Sequence, residues 1–281
     1  MKVKPFFDQA TSTFTYVVND ENTKKCAVID PVLDLELRSG RISTDSNQKI
    51  IDYVNEQKLS VDWILETHAH ADHLSGAHEL KKSLGGQIGI GSNITEVQRF
   101  WADFMNVNIH TDGSQFDRLF KDNDTFMIGD LTVKVMHTPG HTPACICYLI
   151  NDTVFVGDTI FLPHLGTARA DFPGGSSEML YNSIQKLLSL PDETIMYVCH
   201  DYPEQGCEPA CKATVCEQKN SNIMIGQSID KETYMKKRNA RDKSLAVPKL
   251  LLPSIQVNIQ AGELMKDTSG QAYLKIPLNK L

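Results

Sequence analysis

No apolar run in the chain approaches the roughly 18–20 residues that a helical bilayer span needs, which excludes that kind of membrane protein. The opening Met1-Lys2-Val3-Lys4-Pro5 lacks the apolar core of a secretory signal. An excess of positive charge is also missing. Its 28 Lys and Arg face 35 Asp and Glu, a net −7, so nucleic acid is not an expected partner. The seven cysteines contain no Cys-x-x-Cys pair, and an odd number without an export signal argues against a disulfide framework. Reduced thiols are expected, including those of the Cys207, Cys211 and Cys216 cluster. Internal repeats and low-complexity tracts are absent. The expected setting is the cytoplasm, with no membrane partner.

What is present is a globular composition, 41% hydrophobic and 22% charged. Runs rich in Val, Ile, Thr and aromatics predict strands at Phe14–Val18, Cys26–Ile29, Asp62–Glu66, Leu131–Met136, Cys145–Ile150, Thr153–Val156 and Ile195–Val198. A 3.6-residue period predicts helices along Ile50, Ile51 and Val54, along Ile94, Val97, Trp101 and Phe104, and along Leu180, Ile184, Leu187 and Leu188. Hairpin-like strands mixed with helices predict layered α/β packing. The composition changes after Tyr202. Lys231 to Lys243 holds six Lys or Arg against two acids and reads as a solvated helix face. Residues 250–281 read as strand-like. The expected organisation is a core over 1–202 and an extension over 203–281 packed on it, because fewer than 80 residues make a marginal core alone.

The chemistry concentrates in Thr67-His68-Ala69-His70-Ala71-Asp72-His73, directly after the Asp62–Glu66 strand. Three imidazoles and a carboxylate crowded at a strand end point to a metal, because without one their polar atoms are desolvated for nothing. Three further segments follow strand ends: His137-Thr138-Pro139-Gly140-His141, Gly157-Asp158 and His200-Asp201. Pro139 and Gly140 enforce a turn, so His137 and His141 need not share a face. His137 is expected in a structural hydrogen bond and His78 on a helix surface. His164 lies in a loop near the site, and His110 has no ligand spacing.

In this order and spacing, His-x-His-x-Asp-His, His, Gly-Asp and His resemble the ligand series of the metallo-β-lactamase superfamily over residues 10–202. The fold implied is an αββα sandwich with metal at one edge of the paired sheets. Within the superfamily the chain is similar to the persulfide (sulfur) dioxygenases. The matching stretches are Thr13–Tyr16, Ala27–Val32, Thr67–His73, Thr138–Thr142, Gly166–Phe172 and Cys199–Tyr202, and Leu252–Asn258 is like a longer bacterial branch. The resemblance implies one Fe(II) per chain held by His68, His141 and Asp158, with His70, Asp72, His73 and His200 around it. The same seven side chains also suit two Zn(II) bridged by Asp158, since imidazole and carboxylate accept either metal. The implied reaction joins glutathione persulfide and O2 to give sulfite and glutathione. The alternative is glyoxalase II-type hydrolysis of glutathione thioesters at a dinuclear centre. Arg169 and Asp171 are read either as an internal ion pair or as receptors for a glutathione carboxylate, with Arg238 and Arg241 as the other candidates. A homodimer and a sulfurtransferase of the same pathway are the protein partners the resemblance allows.

Overall fold

The computed structural model describes residues 1–204, 206–226 and 229–280. Two six-stranded sheets dominate. The first runs in the order Lys2–Asp8, Thr13–Asn19, Lys25–Ile29, Ser60–Leu65, Gln87–Gly91, Arg118–Phe120. Its first three strands are antiparallel and the rest parallel. The second runs Thr125–Ile128, Leu131–His137, Ile146–Ile150, Thr153–Phe155, Ile195–Tyr197, Lys212–Thr214, with one parallel pairing between Thr153–Phe155 and Ile195–Tyr197. A small sheet joins Val32–Glu36, Arg41–Ser43 and Leu74–Ser75.

The sheets face each other because their strands alternate. In Leu131–His137, Val133 and Val135 are buried while Thr132 and Lys134 are exposed. Val133, Val135, Ile146 and Tyr148 meet Phe14, Tyr16, Ile29 and Leu65 of the first sheet in one apolar layer. The helices Asp45–Glu56, Ala77–Leu84, Ile94–Met105 and Leu251–Asn258 cover the other face of the first sheet. Ser177–Leu188 covers the second through Leu180, Ile184, Leu187 and Leu188. Ser176 caps that helix by accepting from Met179 N–H, and Glu178 and Lys186 suit its dipole. The result is the expected αββα sandwich.

Residues 203–281 are woven into both layers. Lys212–Thr214 is an edge strand of the second sheet, and Ala213, Val215 and Tyr234 enter that sheet's helix-facing core. Leu251, Ile255 and Ile259 enter the core of the other layer.

One expectation fails here and one is incomplete. The strand-like segment after residue 250 is the helix Leu251–Asn258 followed by irregular chain. Nearly all its residues are buried, so it has no polar face to reveal a helical period, and Pro253 is tolerated because it sits in the first turn. The charged segment is the helix Lys231–Asp242, yet Tyr234, Arg238 and Asp242 form a buried stripe at i, i+4, i+8 beneath its solvated face. The edge strand Lys2–Asp8 escaped notice because it contains Pro5, which an edge position accommodates.

Candidate metal centre

The loops after Ser60–Leu65, Leu131–His137, Thr153–Phe155 and Ile195–Tyr197 converge at one edge of the sandwich. The two layers are tied there by Ile146 N–H to Thr67 O at 2.9 Å, Tyr148 OH to Glu66 O at 2.8 Å, and Phe14 N–H to Cys199 O at 2.7 Å. Gly157 has φ +50 and its backbone lies against Thr67, where a Cβ would come within 2.5 Å of Oγ1; glycine therefore lets Asp158 approach the His68 loop.

His68, His141 and Asp158 each offer a ligand atom within 4.8 Å of the others, and all three are buried. Asp158 Oδ2 lies 3.9 Å from His68 Nε2 and 3.7 Å from His141 Nε2. The far side of each ring is tied down. Thr67 Oγ1 donates to Asp30 Oδ2 at 2.9 Å, so it accepts from His68 Nδ1–H at 3.0 Å and leaves Nε2 with a lone pair. His141 Nδ1–H donates to the Arg169 carbonyl at 2.8 Å, with the same consequence. Burial pushes both imidazoles down toward the neutral, ligating form. Burial would raise the Asp158 carboxyl, but His200, His68 and His141 outweigh it and hold it low and ionised.

His70, Asp72 and His73 form a second group, and Asp158, Cys199 and His200 a third. His73 Nδ1–H donates to Leu74 O at 3.1 Å, and burial lowers this imidazole to about 4. His70 Nε2 lies 3.0 Å from Asp30 Oδ1 and 3.3 Å from Glu66 Oε2. Burial opposes a proton on His70, but the Asp30 carboxylate and its hydrogen bond raise the ring's pKa well above the ordinary value. His200 behaves alike: against its burial, Asp158 and Asp72 hold its proton. His200 Nε2 is 3.3 Å from Asp158 Oδ1 and 3.4 Å from Asp72 Oδ2.

Four atoms test whether a metal fits. His68 Nε2, His70 Nδ1, His73 Nε2 and Asp158 Oδ1 are buried with no well-aligned hydrogen bond among the described residues. Buried polar atoms left without a partner are costly unless a cation takes them, in place of a proton at His70, so the donor set fits a metal.

A cavity of about 340 Å³ opens beside His141, Asp158 and His200, walled by Phe161, Leu165, Phe172 and Tyr202. Arg169, Arg238 and Arg241 also line it, but in different ways. Arg238 is 1% exposed and donates to Asp242 at 2.9 Å and to Thr167 O at 2.8 Å. Asp242 in turn accepts from Ala170 N–H at 3.0 Å, so this buried pair holds the loop whose Arg169 carbonyl orients His141. Arg169 grips Asp171 at 2.6 and 2.8 Å, donates to Ala246 O at 2.9 Å and stacks 5.0 Å from the Phe172 ring. Arg241 is exposed and has no carboxylate partner among the described residues.

The remaining candidates lie elsewhere. His137 Nε2–H donates to Pro143 O at 2.9 Å, and His78 sits half-buried on its helix. His164 is exposed, with Nε2 3.9 Å from Asp201, and His110 is exposed. All seven cysteines are free thiols, and Cys207, Cys211 and Cys216 join no ligand group among the described residues. Sequence reasoning missed Asp30, Glu66 and Asn258. Asp30 had one signal: it stands just past the Lys25–Ile29 strand, like the ligands, and before Pro31.

The family description "Metallo-beta-lactamase superfamily" matches residues 9–200. A Dictyostelium discoideum protein named "Glyoxylase B2" is 50% identical over all of this chain and 98% of its own length. A Xylella fastidiosa "Beta-lactamase hydrolase-like protein" is 48% identical over the whole chain, which spans only 65% of that longer relative. The human "Persulfide dioxygenase ETHE1, mitochondrial" is 28% identical over 81% of this chain and 84% of its own. Among solved structures, ETHE1 from Myxococcus xanthus superposes with a TM-score of 0.76 at 28% identity, covering 94% of this chain and all of that one. Sandwich, buried His and Asp cluster and matched family model agree: this chain belongs to the metallo-β-lactamase superfamily.

Proposed function

We propose that the chain is a persulfide dioxygenase that oxidises glutathione persulfide at a mononuclear Fe(II) held by His68, His141 and Asp158. The observation that carries this reading is the convergence of two neutral imidazoles and one ionised carboxylate, with one side open to an aromatic-walled cavity. Two His and one carboxylate with open positions is the ligand set of non-haem Fe(II) oxygenases. The names of the human relative and of the Myxococcus structure support the same reading.

Bound there, iron supplies the redox chemistry between sulfane sulfur and O2. The chain's own residues bind, orient and exclude. Asp30 through Thr67 fixes the His68 ring, and the Arg169 carbonyl fixes that of His141. Phe161, Leu165, Phe172 and Tyr202 keep bulk water from the reacting sulfur. Arg241, which lines the cavity and has no carboxylate partner among the described residues, receives a glutathione carboxylate through its planar guanidinium. Arg169 can add only the donors that Asp171 and Ala246 leave over. His200, bracketed by Asp158 and Asp72, lines the cavity wall beside the ligand carboxylate. Persulfide, O2 and water balance as glutathione and sulfite, with two protons released as sulfurous acid ionises.

One observation favours a second reading, thioester hydrolysis at a dinuclear centre. His70 Nδ1 and His73 Nε2 are also orphaned, and a relative at 50% identity carries the name "Glyoxylase B2". Elemental analysis of anaerobically purified protein, with product assay on glutathione persulfide in air, separates the two. Iron with sulfite formation supports the oxygenase. Two zinc per chain with cleavage of a glutathione thioester and no sulfite would replace it by the hydrolase.

A further inference from the structure

The His68–His73 loop lies in the first layer, but its backbone is not held by that layer alone. Asn258, the last residue of the Leu251–Asn258 helix, is 3% exposed and reaches into the loop. Its Nδ2 donates to the carbonyls of His70 and His73, each at 2.8 Å, and its Oδ1 accepts from Ser75 N–H at 2.7 Å. One amide thus uses both its donors and an acceptor to fix the two ends of the His70-Ala71-Asp72-His73 turn. The helix has little freedom to follow that loop if it moves. Leu251, Ile255 and Ile259 are packed in the core, Val257 packs with Leu33 and Leu74, and Gln98 Nε2 donates to Ile259 O at 2.8 Å. Just beyond it Gly262, at φ +85, presses on the chain that follows the turn; a Cβ there would sit 2.8 Å from Ser75 O.

We infer that Asn258 is a positioning residue for the metal centre: it clamps the His-x-His-x-Asp-His loop so that the C-terminal helix and bound metal stabilise one another. The inference rests on reading this loop as metal-binding, and on no choice between oxygenase and hydrolase. A clamp of this kind has a reciprocal consequence. What the helix contributes to metal affinity, the metal must return as order in the helix.

The test uses the full chain and Co(II) as a spectroscopic probe. Asn258→Asp keeps the side-chain shape and removes both donors. It is expected to weaken Co(II) binding by about 10–100-fold and to alter the visible ligand-field spectrum. Ser254→Ala, in the same helix, removes a buried hydroxyl that makes no hydrogen bond among the described residues, and is expected to leave both unchanged. Wild-type affinity and spectrum in a folded Asn258→Asp protein would overturn the clamp, as would an equal loss in Ser254→Ala. If Asn258→Asp does not fold, the wild-type chain decides. Loading the stripped protein with Zn(II) is expected to slow amide exchange at Ser75 and along residues 251–262, and unchanged exchange there refutes the inference. None of these readouts requires O2 or persulfide, so the clamp and the proposed reaction fail or stand separately.

Discussion

His68, His70, His73 and His141 each have a ring nitrogen engaged by a partner on the far side of the ring, and His200 has its proton held from the ligand side. His68 and His141 are neutral and ready, whereas Asp158 and Asp72 hold a proton on His200. A cation arriving at Asp158 competes with that proton, so metal binding is expected to release protons. The sign follows from the raised imidazole pKa: affinity rises with pH while His200 is losing its proton and levels off above that range. Titration calorimetry in buffers of different ionisation enthalpy measures the release, and His200→Gln should flatten the pH dependence. His70 differs, because Asp30 and Glu66 draw its Nε2 away from the metal side. His70→Ala is expected to retain iron, with affinity or activity down about 10–100-fold, while His68→Ala loses metal outright. Complete metal loss from folded His70→Ala would make His70 a ligand. At the rim, Arg241→Ala is expected to raise KM for glutathione persulfide about tenfold to a hundredfold with iron content unchanged, the cost of one charge-assisted hydrogen bond.

Elements matter here for what they brace. The Lys231–Asp242 helix, capped by Asp230, does not supply a ligand; its buried Arg238–Asp242 pair holds Thr167 and Ala170, and between them the Arg169 carbonyl steers His141. Arg238→Met strands a buried carboxylate and is expected to cost about 3–5 kcal/mol in denaturant unfolding. Adding Asp242→Leu should recover much of that stability without restoring metal affinity, because the acceptor for Ala170 N–H stays lost. Equal stability for the single and double variants would contradict the brace. The Ser177–Leu188 helix acts on the other side of His141. Gly140, at φ +140, lies against the Leu180 backbone with no room for a Cβ. Gly140→Ala is therefore expected to displace the His141 turn and reduce bound metal, a loss that elemental analysis would register.

Across the whole molecule, what could be read from the sequence was what lies close together along it. The strands of the sandwich carry alternating apolar residues, and the ligands stand at their ends, so periodicity and turn chemistry expose both. Asp30 hid behind an ordinary strand-to-turn step, since a lone Asp before Pro is turn vocabulary until Thr67 and His70 come to rest on it. Asn258 had no local signal: its partners are 183 to 188 residues away, and it ends a helix buried too completely to show a polar face. The charge run over Lys231–Lys243 hid its own exception, because a net sum cannot display the Tyr234, Arg238, Asp242 stripe. Long-range contacts of this kind tie the described residues after Tyr202 to the centre from two sides, while the proposed oxidation rests on which metal that centre holds. The decisive measurement divides one stripped preparation, reloads the halves anaerobically with Fe(II) or Zn(II), and follows O2 and sulfite on mixing with glutathione persulfide. The iron form is expected to consume O2 and form sulfite in equal amounts, and the zinc form to do neither. Equal O2 consumption by the zinc form, or none by the iron form, would contradict the account.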